Sequence, residues 1–211
     1  MEKTFDEALG IGEPVPEIDR SRFMELSEEI NALDYLEKTC FFITQAKNDT
    51  MAWKWVILSI HLAIYGFAIC ALKGTCAPLT VMYKNKKDEE MLISFPKAIE
   101  RCQKAEYMRM TVWSKPLVVT EEQQKSIDKM HKVFRNNFEH FAPCGWIIEI
   151  SGMPKIVTDC LEVARFLALD TGNYTNLTSK QKEKIKHLIN QANLDLEEIW
   201  EKTLNQFKSL T

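Results

Sequence analysis

The sequence predicts an all-α protein, a helical bundle of about five main helices forming a single domain over residues 20–211, with an irregular arm over residues 1–19. Three observations carry this expectation. Only seven Gly and seven Pro occur in 211 residues, which leaves little of the turn chemistry that a β architecture needs. Apolar residues recur by threes and fours in several long stretches rich in Leu, Ile, Glu and Lys. A hydrophobic content of 45% is enough for one substantial core.

Taken in order, residues 1–19 place Gly10, Gly12, Pro14 and Pro16 among acids, which suits an irregular arm. From about Ser21 to Lys47, the spacing of Leu26, Ile30, Leu33, Leu36, Cys40 and Ile43 predicts a packing helix. Asn48 and Asp49 are capping residues, and Trp55 to Leu72 is an uncharged run. That run reaches the lower end of membrane-spanning length, but Ser59, His61 and Gly66 interrupt it, so a buried central helix is the expectation and a membrane span the alternative. Ser59, Ala63, Gly66 and Cys70 form a narrow stripe of small residues that lets another helix approach closely. His61 lies opposite them, where a hydrogen-bonded core histidine is expected.

Gly74 and Pro78 break that helix, and LTVMY and MLISF flank a charged KNKKDEE, which leaves room for a short hairpin insertion near residues 79–95. Ser94 with Pro96 predicts a helix start, continuing to about Met108. Pro116 makes residues 113–119 a bridge. Thr120 with Gln123 and Thr178 with Gln181 are capping-box pairs that open helices. Between these, residues 146–150 are a connector, and Ile156, Cys160, Val163, Phe166 and Leu167 mark the buried side of a further helix. In the last helix Ile185, Leu188, Ile189, Ala192, Leu196, Ile199 and Trp200 form the packing face.

The net charge of −3 excludes a whole-molecule electrostatic grip on nucleic acid, so any such binding needs a local basic patch. Six cysteines, at 40, 70, 76, 102, 144 and 160, show no metal-ligand spacing and read as free thiols. The acidic N-terminal stretch lacks an apolar signal core, and a cytoplasmic location is expected.

The chemistry concentrates on Lys125 to Pro143. At about 100° per residue, Ile127, Met130, Phe134, Phe138 and Phe141 fall on one side, while Lys125, Lys129, Lys132, Asn136 and His140 fall opposite. Arg135 flanks the polar side. A lysine stripe ending in Arg, Asn and His suits a phosphate-bearing ligand such as RNA.

Arg135-Asn-Asn-Phe-Glu-His140 has the form R-x4-H with a polar residue directly after the arginine. This resembles the motif of the HEPN superfamily (higher eukaryotes and prokaryotes nucleotide-binding), whose members are α-helical bundles, many of them metal-independent endoribonucleases acting as toxins or in phage defence. The resemblance covers most of the chain as a helix count and six positions as residues. It implies that His140 is the general base that takes the proton from a ribose 2′-hydroxyl, that Arg135 neutralises charge on the phosphoryl oxygens, and that Asn136 orients the phosphate or the imidazole. Lys125, Lys129 and Lys132 would bind RNA. The product would be a cyclic phosphate, with no metal and no other cofactor. Arg135 and His140 stand about 140° apart on an ideal helix, so a site composed from two copies, as in many HEPN ribonucleases, implies a homodimer. Single-stranded RNA is the implied substrate, and in a toxin setting an antitoxin is a further partner. Some HEPN toxins carry a modified tyrosine two residues after the motif histidine; here that position is Ala142.

Two other readings follow from the same residues. Arg135 and Glu139 are spaced for a surface ion pair and His140 for a favourable place at a helix C-terminus, which fits a non-catalytic binding or scaffold protein with the same bundle. The third is a single-span membrane protein anchored by residues 55–72.

Overall fold

The computed structural model describes residues 24–74, 80–140 and 145–208, and the protein it describes is an all-α bundle, as the sequence predicts. The arm over residues 1–19, Phe141, Ala142, Cys76 and Cys144 lie outside the described residues. Helix α1 (Glu28–Ala46) starts later than the periodicity suggests, at Ser27, whose hydroxyl accepts from the Ile30 N–H. Leu26, counted as core from its spacing, therefore precedes the helix and is exposed, and Ile30, in the first turn, is exposed too. Helix α2 (Ala52–Lys73) follows after a short turn in which Asp49 caps the Met51 N–H.

The sequence makes α2 the centre of the bundle because it is apolar on every side. Helix α1 packs along it most extensively, and α3 (Phe95–Cys102), α7 (Met153–Arg165) and the π-helical part of the site helix described below cover the rest. By length and composition α2 is able to cross a membrane, yet 72% of its most apolar window is buried within the protein. Its apolar faces already have partners.

The small-residue stripe lies against α1. The Thr39 and Ser59 hydroxyls meet at 3.0 Å, and a Cβ on Gly66 would come within 2.7 Å of the Ala32 Cβ. No flexible side-chain tip stands there to move aside, so adding carbon forces the helices apart. Gly66→Val is therefore expected to cost about 1–3 kcal/mol through overpacking. A thermal melt reads this as a fall of several degrees, and an unchanged melting temperature would mean that α1 shifts freely.

The anticipated hairpin is present but small, with β1 (Met82–Lys84) antiparallel to β2 (Glu90–Leu92) and Tyr83 opposite Met91. Lys84 pairs with Asp88 at 2.8 Å across its solvated turn. The single helix expected from Ser94 to Met108 is two, α3 and α4 (Ala105–Met108), because the chain leaves helical geometry at Lys104. Helix α5 (Glu121–Asp128) opens on a complete Thr120–Gln123 capping box. It runs on through a π-helical stretch, Lys129–Arg135, into α6 (Asn136–Glu139). Helix α7 ends in a second π-helical turn, Phe166–Asp170, and α8 (Ser179–Lys208) closes the bundle. Ile185, Ile189, Ala192 and Leu196 of α8 are buried, whereas Trp200, assigned to the same face from the sequence, is 41% exposed.

Buried polar groups join the helices. Glu29 of α1 meets Lys73 of α2 at 2.8 Å and accepts the Asn176 N–H. Asp195 of α8 takes Thr44 at 2.7 Å and Lys47 at 2.8 Å, so the last helix is held to α1 by charge as well as by packing. Cys40, Cys70, Cys102 and Cys160 are buried free thiols, and burial pushes Cys40, Cys70 and Cys102 up to about 12, which keeps them as unreactive thiols.

Candidate functional site

The site helix is fixed at three levels before its chemistry begins. Its N-terminus is set by the capping box, its middle by the Ser126 hydroxyl donating to buried Asp159 of α7 at 2.6 Å, and its end by Trp146, whose ring lies 5.4 Å from that of Phe138. Between them the π-helical stretch packs on α2 and buries Met130 and Phe134. A π-helical turn accommodates one residue beyond the α-helical path. A reckoning at 100° per residue therefore overshoots by about one residue's turn at its far end. Asn136 and His140 are displaced from the face of Lys125 and Lys129, while Asn136 stays over Lys132, its Nδ2 donating to the Lys132 carbonyl at 3.4 Å, so the polar stripe read from the sequence is not straight.

Arg135 and Asn136 are brought together, with Arg135 Nη1 donating to Asn136 Oδ1 at 3.0 Å. Arg135 Nη2 is also paired with Glu139 at 2.6 Å, the ion pair that the spacing of four allows. Its Nε is buried with no hydrogen-bond partner. His140 ends the helix as an exposed residue whose backbone N–H reaches the Asn136 carbonyl at 2.9 Å. Its imidazole makes no protein hydrogen bond among the described residues, neither to Asn136 nor to Arg135. It stands at the helix C-terminus rather than in its own core, a place that both the catalytic and the non-catalytic readings allow.

All three lysines are exposed. Lys132 is held by Asp128 at 2.9 Å, Lys129 lies 5.5 Å from the centre of the Phe134 ring, and Lys125 has no ion pair among the described residues. The basic character of this face is therefore partly neutralised by its own acids.

The structure adds two residues that the site reading from sequence left out. His131, in the π-helical stretch, points its Nδ1 at Nε2 of His61 on α2, 3.0 Å away, and both rings lie against Phe95 at 4.3–4.8 Å. His61 is the hydrogen-bonded core histidine anticipated from the sequence, 3% exposed. Burial, then repulsion from His131 in its protonated form and from Arg135, pushes its pKa down to about 3. His131 is lowered as well, by burial and then by Arg135 and Lys132. Both imidazoles are accordingly neutral at pH 7. A signal for His131 was present in the sequence: it lies four residues after Ile127 and three before Phe134, on the buried side.

Beside His131 opens a cleft of about 280 Å³ between α3 and α5, with Phe95, Ile99 and Ile127 in its wall and Lys132 at its rim. No protein-family model, curated protein or solved structure matches the chain.

Proposed function

We propose that the chain is a HEPN-like endoribonuclease that cleaves single-stranded RNA as a homodimer, in a cytoplasmic toxin or phage-defence setting. The observation that carries this reading is the exposed imidazole of His140, without a hydrogen-bond partner among the described residues, at the end of its helix and five residues after an arginine whose neighbour is Asn136. A base must be reachable and uncommitted, and a phosphate needs a planar donor fork close by.

In this reading His140 removes the 2′-hydroxyl proton and the oxygen attacks the adjacent phosphorus. The bond to the 5′ oxygen breaks, a 2′,3′-cyclic phosphate forms, and an imidazolium returns a proton to the leaving oxygen. Arg135 exchanges Glu139 for the phosphoryl oxygens at its Nη2. The roles of Lys125, Lys129 and Lys132 are to hold flanking phosphates. Since Arg135 and His140 make no contact within one chain, a second copy completes the site. The antitoxin and the defence setting come with the family resemblance.

The decisive test is cleavage of single-stranded RNA in chelator, with sedimentation of the same sample. A dimer that cuts RNA and loses cutting in His140→Ala supports the proposal, and cutting undiminished in that variant defeats the site assignment. The Arg135–Glu139 ion pair favours a second reading, a non-catalytic helical binding protein. Glu139→Gln separates the two. Releasing a pair worth about 0.2–1 kcal/mol raises ribonuclease kcat/KM by up to about fivefold, because Arg135 no longer leaves a partner to meet phosphate. In a scaffold the same change alters nothing but a small part of the stability.

A further inference from the structure

We propose that the cleft between α3 and α5 is a nucleobase pocket, which takes one unstacked base of the RNA strand whose phosphate lies at Arg135. This rests on the ribonuclease reading and specifies how the substrate is gripped. The cleft, about 280 Å³, lies just below the roughly 300–1,000 Å³ of sites for larger ligands, so it suits a single heterocycle rather than a whole nucleotide. Its apolar wall is Phe95, Pro96, Ile99 and Ile127, and the amides of Gln103 and Gln124 border it. Single-stranded RNA is read in this manner, with the base against aromatic surface and its edges met by hydrogen-bonding groups.

The histidine pair supplies the directional element. His131 Nδ1 is committed to His61, and its Nε2 has no protein partner among the described residues. Two tautomer arrangements satisfy the 3.0 Å contact. If His131 donates, the Nδ1–H of His61 is an orphaned donor deep in the core; if His61 donates, only a bare lone pair is left there, since His61 Nδ1 is buried without a partner in either case. Orphaned buried N–H groups are the rarer and costlier defect, so His61 donates and His131 presents an N–H from Nε2. The pocket therefore offers a fixed donor to an acceptor atom on a base edge. Gln124 is itself fixed, with its Nε2 donating to Asp128 at 3.0 Å, which orients its carbonyl oxygen as an acceptor. The rim carries Lys132, one of the lysines expected to hold phosphate, so a strand seated on that lysine passes the cleft mouth.

The test uses the full-length His140→Ala protein, so that cleavage plays no part. AMP, GMP, CMP and UMP are titrated separately, with ribose 5-phosphate as the control for phosphate binding alone. At least one nucleotide should bind ten times more tightly than ribose 5-phosphate. That advantage should vanish in Gln103→Trp, an exposed position from which an indole fills the cleft, and should fall several-fold in His131→Phe, which keeps a ring and removes the donor. Binding of all four nucleotides no tighter than ribose 5-phosphate, or an advantage that survives Gln103→Trp, would overturn the pocket. Wild-type protein that never cuts RNA but binds a nucleotide in this way would remove the ribonuclease reading and leave the pocket. Wild-type protein that cuts RNA with no base preference and no nucleotide binding would do the reverse.

Discussion

His140→Ala is expected to lower RNA cleavage by about 10²–10⁴-fold, the range spanned by positioned general bases, with no change in melting temperature. The side chain is exposed and makes no hydrogen bond among the described residues, so its removal leaves no cavity or orphaned partner among them, and surface changes of this kind stay within about 0.5 kcal/mol. Arg135→Ala should cost about 10²–10³-fold, as loss of a donor to a charged transition state does, together with up to about 1 kcal/mol of stability from the broken pair with Glu139. Arg135→Lys keeps the charge but not the planar fork, and should recover little. The measurement is single-turnover cleavage of a labelled oligonucleotide in chelator, alongside thermal melts. Because the imidazole is exposed and unpaired among the described residues, a large activity loss at constant stability would point to His140 as the base.

The second large effect is acid sensitivity. An unfolded imidazole titrates near 6.5, whereas native His61 is held near 3 by burial and by repulsion from protonated His131 and from Arg135. Between those values the unfolded chain binds a proton that the native protein refuses, so stability falls as pH falls; above 6.5 both states are neutral and the contribution is constant. Each unit below 6.5 costs up to about 1.4 kcal/mol, giving about 3 kcal/mol by pH 4.5. His131, lowered for related reasons, adds to the loss in the same window. The carboxylates of Glu29 and Asp195, both held below their ordinary values chiefly by Lys73 and Lys47 against the opposing effect of burial, contribute only at still lower pH. Urea midpoints at pH 7 and 4.5 should therefore separate strongly in the native protein and by less than half as much in His61→Gln, whose amide does not titrate. Equal separations in the two proteins would refute the role of His61.

These two effects differ in how far the sequence could announce them. An uncharged run located α2 and periodic apolar residues located α7 and α8, and the two capping boxes were legible because Thr and Gln three apart satisfy each other locally. The Arg135–Glu139 pair followed from spacing alone. The π-helical stretch did not, since the choice between hydrogen bonding four or five residues back is made by tertiary packing on α2 and leaves no mark on composition. Trp200 and Leu26 carry the right spacing for burial, but Leu26 precedes the start of α1 and Trp200 borders an open cavity against α7. His61 and His131 were each a polar residue on an apolar face, and only the fold shows that each is the other's partner.

The π-helical stretch over Lys129–Arg135 also gives the chain a place where its length is negotiable. Such a stretch holds one residue that a regular helix would not need. Loss of a residue there lets the backbone relax to ordinary α-helix while both flanks keep their headings, whereas the same loss within α8 would turn everything beyond it by about 100°. Removing the exposed Val133 is thus a deletion that the bundle absorbs locally, with His140 still at the tip of its helix and Thr120 still at its base.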